Sequence, residues 1–411
     1  MNTRPKLVLL GSLYLSQGLP FGFMTQAVPV LLRQEGVSLT RIGDTSLLML
    51  PWLLKFLWAP TVDRTGSTRF GRRRSWILPL QALTILTLGA LALANPENAI
   101  PVLLAATFVT ALLASTQDIA TDGLAVSILD DRERGLGNGV QVAGYRLGMV
   151  LGGGALLVVF ARVGWVASFL GMAGLLLLAT VPIAAWTEQP SSHDGPEPSV
   201  WSGLSRPGML GWCLLLVTYK LGEQLGGAVT KPMLVDLQLD LEAIGWLGTA
   251  DSGASLIGAL FGGWLVGRIG RKPALVGFGL LQATGVAAWA LPAMGWVGLA
   301  GIAGVKVYDG FVGSMATAAL FTAMMDASRP GAGGTDYTLQ ASVVLVASFL
   351  GAVLGGRTAD LLIRSLDGLA LGYAVHFLIA AALTVAGALV VVVRPLLKAD
   401  RVDETGGSLP T

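Results

Sequence analysis

Nine ionisable residues lie inside long apolar runs of this chain: Lys55, Asp118, Asp122, Arg146, Lys220, Glu223, Asp251, Lys306 and Asp309. A charge at the centre of a bilayer costs at least ~2.5–3.5 kcal/mol on insertion scales, so each of them demands a partner or a function. A carboxylate screened from bulk water can take up and release a proton as its surroundings change. Asp118, Asp122, Glu223 and Asp309 are therefore the candidate proton-coupling groups. Lys55, Arg146, Lys220 and Lys306 can neutralise those acids or draw in an anionic solute. Asp118 and Asp122 share a helix face at four-residue spacing, and Arg146 is their expected partner. Lys220/Glu223 and Lys306/Asp309 stand three apart, where two charges can pair on one helix. Asp122 is nearest its helix end, where Arg132 or Arg134 can latch it, so for this acid a structural role is favoured. Asp251 reads as a gate or as a cap on a broken helix.

The elements that carry these charges follow from hydropathy. Only 13% of the 411 residues are charged, about half of the ~25% of a soluble domain, which excludes a water-covered surface. Runs of roughly 20 apolar residues, each long enough to span a bilayer core, fall at 7–31, 43–62, 75–94, 99–126, 138–160, 163–186, 208–229, 243–267, 273–292, 296–325, 337–356 and 370–393. The predicted fold is all-α and polytopic, with twelve transmembrane helices. A polar, proline-rich stretch at 187–206 separates an N-terminal six-helix bundle (1–186) from a C-terminal one (207–394), and 395–411 is a tail. The first run is too long, and too interrupted by Gln17, Pro20 and Pro29, for a cleaved leader. By count the embedded charges avoid the third, sixth, ninth and twelfth runs, where His376 is the one titratable group. At 1.5 Å per residue, Asp118 lies roughly 13 Å from the nearer membrane edge.

Alternate loops hold 17 basic residues on one side against 6 on the other. The positive-inside rule then puts both termini in the cytoplasm, which for a bacterium means the inner membrane. Two of the basic loops recur at half-chain spacing: Asp63-Arg64 with Gly71-Arg72-Arg73, and Gly267-Arg268 with Gly270-Arg271-Lys272. They form a candidate cytoplasmic gate, in which Gly267 occupies the acid's place in the second copy. Six-helix repeats of this kind characterise carriers whose halves rock about a midplane site. The loop resembles the signature between helices two and three of major facilitators, in which the third, sixth, ninth and twelfth helices face lipid. Glycine rows at 144–154, 253–263 and 351–356 allow close helix contact.

A further stretch is more specific: Thr116-Gln117-Asp118-Ile119-Ala120-Thr121-Asp122, Glu133-Arg134-Gly135 and Gly144-Tyr145-Arg146-Leu147-Gly148-Met149, with Gly18-Leu19-Pro20 and Lys55-Phe56-Leu57-Trp58-Ala59-Pro60. It resembles the AmpG-type permease group, which includes muropeptide permeases, acetyl-CoA transporters and RhtX/FptX-type siderophore permeases. The short chain, its opening Gly11–Gly22 segment and the Arg72-Arg73-Arg74-Ser75-Trp76 loop look most like the siderophore branch. The resemblance implies proton-coupled import of a ferric siderophore, with a muropeptide or another bulky anionic solute as the alternative. A large chelate calls for aromatic and basic lining, for which Gln17, Trp52, Lys55, Gln117, Tyr145, Arg146, Lys220 and Lys306 are the candidate substrate-binding residues, together with Trp58, Tyr219 and Tyr308.

The partners implied are lipid, a small solute and protons, with no nucleic acid for a net charge of +2, and the carrier is expected to be a monomer. Cys213, His193 and His376 are too few and scattered for a metal centre, so no metal and no cofactor is expected. No catalytic constellation and no phosphate-cradling loop is visible, which argues against an enzyme or a primary pump.

Overall fold

The computed structural model describes residues 3–37, 45–67, 69–94, 99–188, 198–366, 368–393 and 396–397. Arg41, residues 189–197 of the 187–206 linker and nearly all of the tail lie outside them. Among the described residues nine helical stretches are long and apolar enough to cross a membrane. Together with two further helical segments they make about twelve crossings. One of the nine, 134–185, contains two crossings. The second crossing is broken into short pieces, and the seventh carries Lys220, Glu223 and Lys231, which lower its hydropathy.

In the first half α1 spans Thr3–Arg33, interrupted by a π-helical turn at Phe23–Ala27. The second crossing, α2 (45–64), is not the plain helix that its apolar run suggests. It passes from a 3-10 turn at Thr45–Met49 through Leu50–Leu54, a second 3-10 turn at Lys55–Leu57, and Ala59–Arg64. Pro51 and Pro60 each open a new helical piece, because proline cannot donate to the preceding turn. Next come α3 (Arg74–Ala92), α4 (Ala99–Ile128), α5 (Arg134–Gly152) and α6 (Gly154–Ala185). Within α6 the chain turns at Gly164, at φ 76° and ψ −171°, a backbone conformation that favours glycine. The part before it continues the fifth crossing, and the part after it forms the sixth.

The second half repeats the plan with α7 (Met209–Asp236), α8 (Leu241–Ile269), α9 (Arg271–Ala288), α10 (Leu299–Ala327), α11 (Gly333–Ser365) and α12 (Leu369–Val393). Asp240 caps α8 by accepting the Ala243 N–H at 2.6 Å, which satisfies one of the first-turn donors left open by helix geometry.

The face carrying the loops 65–73 and 268–272, here the loop face, is where the halves are joined. Val126 and Leu129 pack in one apolar cluster with Met324, Ala327 and Tyr337. Across the same seam α5 meets α8 backbone to backbone: a Cβ at Gly139 would lie 2.7 Å from the Ala259 carbonyl oxygen, and one at Gly135 would lie 2.5 Å from that of Gly263. Most other glycines of the three rows pack within a half. Gly148 and Gly152 meet α1, Gly258 and Gly262 meet α10, and Gly351 and Gly355 meet α7.

Candidate functional site

The embedded charges separate into two groups. In the first half, the bend of α2 aims Lys55 at α4, where its ammonium pairs with Asp118 and lies 3.9 Å from Asp122. Asp122 also accepts a hydrogen bond from the Tyr14 hydroxyl of α1 at 2.8 Å. Lys55 and Asp122 are almost fully buried, at 4% and 2% exposure. These partners correct the expected ones. Lys55, not Arg146, neutralises the aspartate pair, because the breaks in α2 turn its side chain inward. Arg132 and Arg134 do not latch Asp122; Arg134 pairs instead with Asp326 of α10 at 2.8 Å.

Beside this cluster lies a buried amide network. Gln117 and Gln81 both donate to the Ser16 hydroxyl, at 3.1 and 3.0 Å. Gln17 is 2% exposed and neither atom of its amide has a protein partner. Trp52 packs edge-on against Phe21, which also touches Tyr145. Tyr219 is buried, with its hydroxyl on the Leu275 carbonyl at 2.9 Å. The Trp58 indole donates to Thr116 at 3.2 Å.

The second group lines a cavity of about 150 Å³. Arg146 reaches it from α5, about 18 Å along that helix from the loop face at 1.5 Å per residue. The second half supplies Glu223 and Gln224 from α7, Asp251 from α8, Gln282 and Trp289 from α9 and its continuation, and Lys306 and Asp309 from α10. Lys220 pairs with Glu223 at 2.6 Å, as its i,i+3 spacing suggests, and also donates to Thr317 at 2.8 Å. The Lys306/Asp309 pair does not form. Lys306 turns to Asp251 at 3.4 Å, while Asp309 accepts the Trp289 indole N–H at 2.9 Å. Two helices facing across a cavity offer each charge a better partner than its own helix does. Arg146 has no carboxylate within ion-pair distance among the described residues, and it is the one cation on the cavity so placed. Of the eight expected solute contacts, Arg146 and Lys306 reach this cavity; Gln17, Trp52, Lys55, Gln117, Tyr145 and Lys220 are not among its walls.

At the loop face Asp63 is fully buried, pairs with Arg73, and accepts both the backbone N–H and the hydroxyl of Thr335 in the first turn of α11. An acid of one half thus caps a helix of the other. Glu188 accepts the backbone N–H groups of Arg73 and Arg74, at 3.0 and 2.9 Å, and closes the N-terminus of α3. Arg64 donates to the Pro198 carbonyl at 3.0 Å. Gly71 is at φ +93° against Glu188, and Gly270 at φ +88° opens the turn into α9. In the second loop Gly267 approaches the Arg132 carbonyl. The missing acid is supplied from elsewhere: Arg271 pairs with Asp326 at 2.7 Å, beside Arg134. Arg268 stacks over Trp264 at 4.2 Å, and Lys272 donates to the Val392 carbonyl at 2.9 Å.

Sequence reasoning missed Tyr14, Asp326, Gln282 and the Gln141–Tyr337 hydrogen bond that joins the halves at 3.1 Å. Asp326 stands at a helix end and Asp336, fully buried under Arg329 and Arg206, in a first turn. Their acid character beside basic loops was the available signal.

Residues 6–162 match the family described as acetyl-coenzyme A transporter 1. The chain is 29% identical to the anhydromuropeptide permease of Escherichia coli K12 over 98% of its own length and 82% of that protein. It is 30% identical to an uncharacterised protein of Haemophilus influenzae, over 65% of this chain and 66% of that one. Among solved structures it superposes on the proton:xylose symporter XylE with a TM-score of 0.69 at 13% identity, covering 94% of this chain and 95% of that one. The human organic anion transporter MFSD10 gives 0.68 at 15% identity, over 95% of this chain and 100% of that one. The fold is that shared by these major facilitator structures, and the chain resembles permeases of the AmpG type.

Proposed function

We propose that this chain is a proton-driven inner-membrane permease that imports an anhydromuropeptide-class solute, a sugar carrying a short peptide, by alternating access. The observation that carries the reading is Arg146, a guanidinium held at a polar cavity with no carboxylate of its own among the described residues. A peptide carboxylate matches its planar fork. Gln224 and Gln282 stand on the same cavity to meet amide and hydroxyl groups. Likeness to the E. coli permease over nearly the whole chain favours the same solute class. The ferric-siderophore reading asked for aromatic and basic lining, but Trp52 and Tyr219 are packed away and Lys55 and Lys220 are already neutralised. Chain length discriminates poorly, since 98% of the chain aligns with 82% of a longer relative.

The basic loops orient the loop face, and both termini, toward the cytoplasm. The joined seam then describes a state closed to the cytoplasm, with Arg146 and its cavity on the periplasmic side. Lys55 supplies one positive charge against the two carboxylates of Asp118 and Asp122, so one more positive charge completes the balance. A proton on the pair supplies it. α5 links this site to the cavity, because Tyr145 and Arg146 are adjacent. Glu223 and Asp309 belong to the solute side, where they pair with Lys220 and Trp289. Gly135, Gly139 and Gly263 form the seam that must part when the cavity opens inward.

The test is uptake in a deletion strain complemented with this chain, comparing labelled anhydromuropeptide with a ferric siderophore. Muropeptide should accumulate, uptake should collapse with an uncoupler, and Arg146→Gln should raise the half-saturating concentration at least tenfold. Accumulation of the siderophore alone would sink the assignment.

A further inference from the structure

Away from the cavity, a groove of about 440 Å³ runs along the outer surface between the start of α1 and the end of α6. Val8, Leu9, Pro182, Ala185 and Trp186 wall it, and Arg4 stands at its rim. Two features set it apart from an ordinary lipid-facing furrow. First, Arg4 is exposed and has no carboxylate within ion-pair distance among the described residues; the nearby Lys6 is buried and spent on Glu133 at 2.6 Å. Second, the loop of the first half brings another guanidinium to the same corner: Arg74 donates from its side chain to the Ala184 carbonyl, at the end of α6. Among the described residues no carboxylate pairs with the Arg74 side chain, and Glu188 is occupied by the backbone N–H groups of Arg73 and Arg74. Arg74 also covers the carbonyl end of α6, which would otherwise repel an anion.

The surroundings fit the level of lipid headgroups. On the same loop Arg69 stacks over Phe70 at 5.8 Å, and Phe70 is 64% exposed. Trp186 closes the groove at the loop-face end of α6, and its buried indole N–H has no protein partner. Aromatic and basic side chains gather where a protein meets the membrane–water boundary, and basic pockets between helices hold anionic headgroups there.

We propose that this groove binds one anionic phospholipid, with an acyl chain along Val8, Leu9 and Pro182 and the phosphodiester between Arg4 and Arg74. The site is separate from the solute cavity and does not depend on which solute is carried. Bound there, the lipid ties α1 to α6 and to the basic loop, all within the first half.

Native mass spectrometry of the purified chain, titrated with dioleoyl-phosphatidylglycerol and dioleoyl-phosphatidylcholine, tests this. Each arginine near an anionic headgroup contributes roughly fivefold in affinity. One phosphatidylglycerol should be retained in preference to phosphatidylcholine, and Arg4→Gln should reduce that preference about fivefold. Arg4 is exposed, so the variant folds. Val8→Trp, also at an exposed position, fills the groove while leaving both cations, and should remove the retained lipid of either kind. Equal retention of the two lipids by the parent protein, or a preference that survives Arg4→Gln together with Arg74→Gln, overturns the headgroup site. Lipid retention unchanged in Val8→Trp overturns the groove.

Discussion

Gly139→Ala should move the protein out of its loop-face-closed state without unfolding either half. The added methyl would meet the Ala259 carbonyl oxygen at 2.7 Å, and the Cα atoms of Leu260 and Gly263 at 3.3 Å. All three are backbone atoms of α8, so no rotamer change relieves them. The first is about 0.7 Å inside ordinary contact, and the helices must part by a comparable amount. Overpacking of this kind costs about 1–3 kcal/mol, and here the cost falls only on the closed arrangement. The closed population should drop about fivefold to a hundredfold or more relative to the open one. With Cys213→Ser as background, spin labels at Arg132→Cys and Lys272→Cys report the separation across the seam. The distance distribution should shift to longer values in Gly139→Ala. Gly226→Ala is the control, since its methyl meets side chains of the second half alone, Val286 at 3.0 Å and Ala380 at 3.3 Å. If Gly139→Ala keeps the parental distribution, or Gly226→Ala shifts it equally, contact at this seam does not hold the closed state.

Lys55→Met strands two buried carboxylates and should cost about 3–5 kcal/mol of stability, read as a lowered midpoint in thermal unfolding in detergent; adding Asp118→Asn should recover part of the loss. Asp118→Asn alone should abolish concentrative uptake and leave counterflow intact, so normal accumulation would remove this residue from coupling. Trp289→Phe deprives Asp309 of its indole donor, and loss of a hydrogen bond to a charged group, about 1.5–3 kcal/mol, should appear as weaker solute binding by calorimetry. At the loop face, burial works to raise the Glu133 pKa, but hydrogen bonds from Lys6, Thr3 and the Asp130 backbone, with the Lys6 charge, hold it below the ordinary glutamate value. The contact therefore stabilises the fold fully above the ordinary glutamate pKa and is lost as pH falls through the lowered one. Glu133→Gln should flatten the acid limb of a stability–pH curve; an unchanged limb would contradict this.

The polytopic, all-helical plan was legible because hydropathy is a local property that the bilayer enforces residue by residue. Lys220–Glu223 was legible for the same reason, both partners lying on one turn. Pairing between helices was not. Lys306 prefers Asp251 to Asp309, and Asp118 prefers Lys55 to Arg146, because choice of partner depends on helix rotation and on the breaks in α2. Pro51 and Pro60 marked where those breaks fall, though not the direction in which Lys55 would then point. The two-loop repeat was visible, but Asp326, which serves Arg271 from across the second half, belongs to no motif and is found only by folding. Tyr14 and Gln282 lacked any signal, since a hydroxyl or amide in an apolar run looks like packing until its neighbours are known.

The cap that Asp63 places on α11 makes a single amide a gauge of the gate. The Thr335 N–H is bonded to a carboxylate of the opposite half and sealed from solvent while the loop face is shut. When the halves separate, that donor meets water while the rest of its helix stays intact. In heavy water, deuterium should enter at this position at a rate set by how often the carrier opens rather than by how often it unravels, so the turnover of empty cycles can be timed without any solute present.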